Sequence, residues 1–350
     1  MIEYRTFRND DPPQILDVWN SCRGSRGMGW PRGCDTLEQL LFSKPYFDRQ
    51  GFFVAEEDGR VLGFSHAGFS AHDDKNSVDP SLGAVYMVQV RPENRRQGIG
   101  RQLVRLGQSY LHQRGTQLQY LGGMFPVNAF YLGLYGGSEL PGLLASDGAA
   151  QAFARAMGYD PCDECLVYQR KVGELPKVAD SRVVLLKRLV EVQAEPWPTP
   201  TSWWDACILG NMPSLRYEMV DKESQLLIGK AWVWEMESFG MAWKAPTVGI
   251  IDFWIEPPFR RKGYARLLLL TMLKHLRDQQ IELVELQTMQ RNEPARKLYE
   301  SVGFEVIDRG LAFRRNSPLD FADLPTLASK GIVPRPASAR RFARAIPATG

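Results

Sequence analysis

Two decapeptides written on one plan, RRQGIGRQLV at residues 95–104 and RRKGYARLLL at 260–269, set the tightest limit on how this chain folds. Each places two cations ahead of a glycine and a helix-like stretch after it. Each also follows an apolar, β-rich run that stops at proline, GAVYMVQVRP and GIIDFWIEPP. In the first copy Ile99, Leu103, Leu106, Tyr110 and Leu111 recur at helical spacing, which predicts one buried face. Strand, cationic turn and helix repeated in the same order imply one architectural unit used twice. A length of 350 residues and an apolar content of 44% are enough for two packed cores.

The flanks extend the parallel. GFFVAEEDGRVLGFSHAGFS reads as a hairpin about Asp58-Gly59, IEYRTF as a strand and PPQILDVWNSC as a helix with proline in its first turn. The second half repeats that order: RVVLLKRLV stands where the first strand stood, and a Trp-rich helix and strands in LRYEMV and LLIGKAWVWEM follow. Gly, Pro and charge interrupt the pattern in KVGELPKVADS, residues 171–181, and mark a joint. The expected division is therefore 1–172 and 181–316, followed by a Pro-rich basic segment, 317–350, expected to be a disordered tail.

Composition removes several classes of function. No apolar run of membrane-spanning length is present, and MIEYRTFRNDD has neither the basic nor the apolar region of a secretory leader, so a cytoplasmic location without membrane contact is expected. Five cysteines are odd in number and thinly spread; the lone pair Cys162/Cys165 lacks the second ligand pair zinc requires and is read as an inert hairpin turn. His66, His72, His112 and His275 have no ligand spacing, so no metal is expected. Net charge is only +3, and five cations lie in 317–350, leaving no footprint for specific nucleic-acid binding.

The chemistry starts from a charge conflict. Arg95, Arg96, Arg101 and Arg105 in one copy, and Arg260, Arg261, Lys262 and Arg266 in the other, crowd a helix N-terminus that already carries partial positive charge. An anion resolves the conflict, and Gly98, Gly100 and Gly263 keep side chains away from the unpaired first-turn amides. A pyrophosphate fits both demands. GxGxxG fails, because Leu103 stands where its third glycine belongs, and GxxxxGK[ST] is absent.

The pattern that does fit, proline shortly before an Arg and then [RQ]xxGx[GA] opening a helix, resembles the GNAT acetyltransferase superfamily. The second copy also carries RNEPARKLYESVGF, residues 291–304, similar to that family's second coenzyme motif; SDGAAQAFARAMGY, residues 146–159, is a looser match in the first. The resemblance covers about 300 residues and implies two tandem GNAT-type α/β domains. Each would hold a mixed central sheet, split at a cleft and flanked by helices.

It further implies acetyl-CoA as acyl donor and the amine of an acceptor, expected to be a small molecule, as its partner. A bulge in the strand before the turn would expose main-chain N–H groups of Phe253, Trp254 and Ile255, and of Val88, Gln89 and Val90, toward pantetheine and carbonyl. Arg260, Arg261, Lys262, Gly263, Tyr264 and Ala265 would hold pyrophosphate, as would Arg95, Arg96, Gln97, Gly98, Ile99, Gly100 and Arg101, with Asn292 contributing from the second motif. Tyr299 is either the general acid facing the coenzyme sulfur or a packing residue; Asp252 is either the base or a satisfied structural carboxylate, with Glu256 and Glu218 in reserve.

Ala154 and Asp147 stand where Tyr299 and Asn292 do, so chemistry is expected in the second half, with Tyr131 and Tyr135 as other first-half candidates. The first copy is longer between turn and closing glycine; 63 positions separate Arg95 from Gly158, against 43 from Arg260 to Gly303. The extra length falls in the Gly-rich 122–148, either a pocket wall or lid or an inter-domain packing element. Seven of nine Trp lie between Trp197 and Trp254, either lining an acceptor cleft or building a core. A non-catalytic acyl-CoA sensor remains the alternative to an enzyme.

Overall fold

The computed structural model describes residues 1–173 and 181–315; the expected tail 317–350 lies outside them. The first half runs β1 (Glu3–Thr6), α1 (Pro12–Ser21), a one-turn α2 (Cys34–Leu37), β2 (Phe52–Glu57), β3 (Arg60–Ala71), β4 (Val78–Val90), α3 (Ile99–Gln113), β5 (Leu118–Leu121), β6 (Leu143–Leu144), α4 (Gly148–Ala156) and β7 (Asp160–Lys171). The second runs α5 (Ser181–Leu189), β8 (Val190–Pro196), α6 (Trp203–Leu209), β9 (Ser214–Asp221), β10 (Leu227–Glu235), α7 (Glu237–Trp243), β11 (Thr247–Ile255), α8 (Tyr264–Asp278), β12 (Leu283–Met289), α9 (Glu293–Ser301) and β13 (Glu305–Arg314).

Local chemistry accounts for most of these elements. Asp58 and Gly59 take φ of +51° and +78°, the pair of positive angles a two-residue hairpin requires. One reading is corrected: RVVLLKRLV forms helix α5, and the strand begins only at Val190. Its buried residues Val183 and Leu186 are three apart, a helical spacing, and they join the core against α8. A second correction concerns Cys162 and Cys165, which lie inside β7 rather than in a turn, as free thiols.

All the strands belong to one mixed sheet, ordered β1-β2-β3-β4-β5-β13-β7-β12-β11-β10-β9-β8, with β6 added to β13. Among the described strands only β4–β5 and β11–β12 pair in parallel. The order shows an exchange. β7, the last strand of the first half, pairs with β12, while β13, the last of the second half, pairs with β5; the two exchanged strands pair with each other. Packing follows pairing: Phe313 of β13 is buried among Leu103, Val104 and Leu111 of α3, whereas Leu166 and Tyr168 of β7 are buried with Leu268 and Leu273 of α8.

Strand alternation supplies the third core. Phe53 and Ala55 turn toward α3, and Phe52 and Val54 toward Ile15, Val18 and Trp19 of α1. In the second half Ala231 and Val233 face α8, while Trp232 and Trp234 enter the same core as Trp19 and Phe130. Apolar residues of both halves thus close one shared core. Among the described residues no helix is long and apolar enough to cross a membrane.

Candidate active site

Both cationic turns adopt one backbone course. A short 3-10 segment, Pro92–Asn94 or Pro257–Phe259, leads to Arg96 or Arg261 at φ of +63° or +60°, then to a helix-capping glycine, Gly98 or Gly263, at +85° or +97°. Arg95 Nε donates to Val90 O at 3.0 Å and Arg260 Nε to Ile255 O at 2.8 Å, tying each turn to the end of its strand. Arg260 also stacks on the half-exposed Trp254 ring, 4.2 Å from its centroid.

Around these clamps Arg96, Gln97, Arg101, Arg261 and Lys262 are exposed; Gly100, Tyr264 and Ala265 are half-buried and Ile99 is buried. The first helical amides to reach a turn carbonyl are Gln102 N, on Gly98 O at 3.0 Å, and Leu267 N, on Gly263 O at 3.1 Å. Helix geometry leaves the amides before them pointing past the helix end, toward the cations.

Beside each turn the parallel pairing stops, in the second half because β11 and β12 part and in the first because β5 ends. β11 and β12 pair from Thr247↔Leu283 to Ile250↔Leu286, and β4 and β5 from Leu82↔Leu118 to Val85↔Leu121. Beyond those points the last residues of β11 and β4 border a gap. Each carries a register shift there: between Lys230 and Trp232 on β10 opposite β11, where Asp252 takes φ of +48°, and between His66 and Ala67 on β3 opposite β4. Glu256 N is bonded to Ile228 O at 2.8 Å and Arg91 N to Leu62 O at 2.9 Å, so alternation turns the amides of Ile255 and Val90 away from those neighbours and toward the gaps.

The side chains at the two gaps differ. Tyr299 is buried on α9, with its ring near Tyr168, Phe253 and Phe304, and burial chiefly, then the charge of Glu139, pushes its phenol well above the ordinary tyrosine range. Among the described residues no hydrogen bond engages its hydroxyl. Asp252 is exposed at the bulge and ion-paired with Lys230 at 2.9 Å. Glu218 pairs with Arg216 at 3.1 Å, and Glu256 sits half-buried at the strand end. Asn292 caps α9, accepting from Ala295 N at 3.4 Å and donating to Thr288 Oγ1 at 3.1 Å; Asp147 caps α4 in the same manner, accepting from Ala150 N at 3.1 Å. That shared cap is what the two closing motifs have in common.

At the first gap Met87 and Ala154 are buried where the second has Asp252 and Tyr299. Tyr131 is buried in the shared core with an unpartnered hydroxyl, and the Tyr135 hydroxyl accepts from Leu144 N at 3.4 Å. His66 is buried among Phe47, Phe52, Phe130 and Tyr131, and burial lowers its pKa to about 3, so the imidazole is neutral at physiological pH.

The Gly-rich segment 122–148 lies between the halves. Its stretch Gly136–Glu139 crosses the second half's sheet, where Trp234 Nε1 donates to Ser138 O at 3.1 Å and Gln287 Nε2 to Glu139 O at 3.0 Å. Ser138 N donates at 2.8 Å to Glu285, a fully buried β12 carboxylate that also takes Gln169 Nε2 at 2.8 Å and Arg26 of the first half at 2.5 Å. Glu139 thereby reaches the second gap, and sequence reasoning missed it; the one glutamate inside the long Gly-rich insertion was the available signal. A cavity of about 560 Å³ lined by Arg26, Lys171, Trp243 and Glu282 lies at the opposite end of β12, and Glu139, Asp252 and Tyr299 are not among its lining residues.

Comparison with known proteins gives matching results for both halves. Residues 186–304 match the family model described as Acetyltransferase (GNAT) family, and residues 48–160 one described as Acetyltransferase (GNAT) domain. A mycothiol acetyltransferase of Streptomyces bingchenggensis is 35% identical over 136 residues, 37% of this chain and 41% of that protein. Another, from Thermobispora bispora, is 34% identical over 117 residues, 33% of this chain and 38% of that protein. The chain thus spans about two fifths of the length of these relatives. A solved tandem GNAT protein from the clavulanic acid biosynthesis pathway is 17% identical and superposes with a TM-score of 0.63 over 91% of this chain and 100% of its own, a likeness of fold.

Proposed function

Because the chain belongs to the GNAT acetyltransferase superfamily in its tandem form, we propose that it transfers the acetyl group of acetyl-CoA to the amine of a small-molecule acceptor, with the chemistry in the second half. The repeats of this proposal are 1–172 and 181–316, each lending its last strand to the other. The observation that carries it is the opened β11–β12 pair, which has an anion-competent turn at one end and the buried side chain of Tyr299 beside it.

In this reading Arg261, Lys262 and the first amides of α8 hold the pyrophosphate, while Arg260 fixes the turn to Ile255. The amide of Ile255, with those of Phe253 and Trp254 about the bulge, borders the thioester and polarises its carbonyl. Tyr299 donates its proton to the departing sulfur; its raised pKa keeps it protonated until the thiolate forms. Asp252 carries the negative charge at the bulge, paired with Lys230, and borders the acceptor side. The relatives named for mycothiol acetylation support a small-molecule acceptor over a protein.

Met87 and Ala154 place no acid or base at the first gap. Its turn, from Arg95 to Arg101, together with Val88, Gln89 and Val90, retains the features for coenzyme binding without those for transfer. The test is thiol release from acetyl-CoA with a panel of small amines. Tyr299→Phe is expected to lower turnover about tenfold or more with coenzyme affinity kept. Tight coenzyme binding with no release for any amine sinks the proposal and leaves a sensor.

A further inference from the structure

The second gap holds a carboxylate that the second repeat does not encode. Glu139 belongs to the first repeat's insertion, and its backbone is pinned where β11 and β12 separate. Gln287, which holds its carbonyl, is the first β12 residue beyond the last β11–β12 pair, Ile250↔Leu286. Ser138 lies over Gly249, where an added Cβ would stand 2.8 Å from the Ser138 Cβ, and a Cβ on Gly137, at φ of +121°, would collide with Glu285. Glycines on both surfaces allow the close approach that sets Glu139 in the gap.

Among the described residues no hydrogen bond or ion pair engages the Glu139 carboxylate. The charge of Asp252 acts on Glu139 and that of Glu139 on Tyr299, so the carboxylate lies within electrostatic reach of both the bulge and the candidate acid. We propose, resting on the acetyl-transfer reading, that Glu139 is the general base for the second half's cleft, so that one active site is assembled from both repeats.

As the amine nitrogen bonds to the thioester carbon, Glu139 takes a proton from that nitrogen. The C–S bond then breaks with its electron pair on sulfur, and Tyr299 protonates the sulfur; solvent exchange returns the proton from Glu139 to the phenolate. Amine and acetyl-CoA become amide and free thiol, with atoms and charge conserved. Asp252 is less suited, because Lys230 already engages its carboxylate.

The groups around Glu139 are Asp252 with its partner Lys230, Tyr299, Cys165 on β7 and Glu285 on β12. Burial first, and the Asp252 charge second, push its pKa up to about 7, near the optimum for a base at neutral pH. The rate should therefore fall as pH drops below about 7, where the carboxyl is protonated.

In the full chain, Glu139→Gln is expected to lower turnover about a hundredfold or more and to abolish the acidic limb of the kcat/KM profile near pH 7, with acetyl-CoA affinity by calorimetry unchanged. Glu139→Asp should restore part of the rate and keep the limb. Wild-type turnover with Glu139→Gln equally fast and its limb intact overturns Glu139 as base and spares the acetyl-transfer reading. Loss of the limb in Asp252→Asn but not in Glu139→Gln does the same. Absence of thiol release from the wild-type chain overturns both.

Discussion

Gly98 and Gly263 cap α3 and α8 with φ of +85° and +97°, angles at which a Cβ meets its own backbone. Gly98→Ala is expected to cost about 1 kcal/mol by urea unfolding although no atom lies within 4 Å of the added carbon, so the penalty is conformational. Gly100→Ala should be close to neutral, because its Cβ would find only ordinary contacts at 3.7 Å and the second turn already has Ala265. A larger loss for Gly100→Ala than for Gly98→Ala would refute this account. Glu139 adds a pH dependence whose sign is fixed. Its folded pKa is raised from 4.5 to about 7, so the stabilisation it contributes is complete below pH 4.5 and lost as pH rises to about 7. Glu139→Gln should therefore be more stable than the parent at alkaline pH, by about 3 kcal/mol, and the gain should vanish in acid.

In the turn-helix elements the cations that hold the turn differ from those proposed to bind coenzyme. Arg95 and Arg260 hold their turns through strand-end carbonyls, whereas Arg261 and Lys262 are exposed beside a helix end whose dipole opposes them. Replacing Arg261 and Lys262 together by Gln should leave unfolding midpoints unchanged or slightly raised, weaken acetyl-CoA binding about tenfold or more, and flatten its dependence on salt. Calorimetry at low and high salt measures both. The equivalent change of Arg96 and Arg101 reports whether the first turn also binds coenzyme. No loss from either pair would remove the anion-binding assignment.

At the scale of the whole molecule, the exchange of β7 and β13 makes each half incomplete without the other. Phe313 is a C-terminal residue by sequence and a first-half core residue by packing. Phe313→Ala is expected to destabilise by about 3–5 kcal/mol and to shift one calorimetric transition for the entire chain. Two transitions, with the first-half one unmoved, would contradict the exchange. The Arg26–Glu285 pair and the shared core of Trp19, Phe130 and Trp234 bind the halves in the same sense.

What the sequence determined by itself was the pair of turns, the hairpin at Asp58-Gly59 and the helix after each turn, because glycine conformation, charge at a helix end and apolar periodicity act over a few neighbouring residues. RVVLLKRLV misled because a short apolar run fits strand and helix alike, and only packing on α8 chooses between them. Asn292 and Asp147 were legible as a matched pair, though their helix-capping contacts needed coordinates. The strand exchange and the arrival of Glu139 at the second cleft were decided by tertiary structure alone. β7 and β13 offer similar edges to similar partners, so their pairing is a choice among distant segments, and the place of one carboxylate in a Gly-rich loop depends on the surface across which that loop is laid.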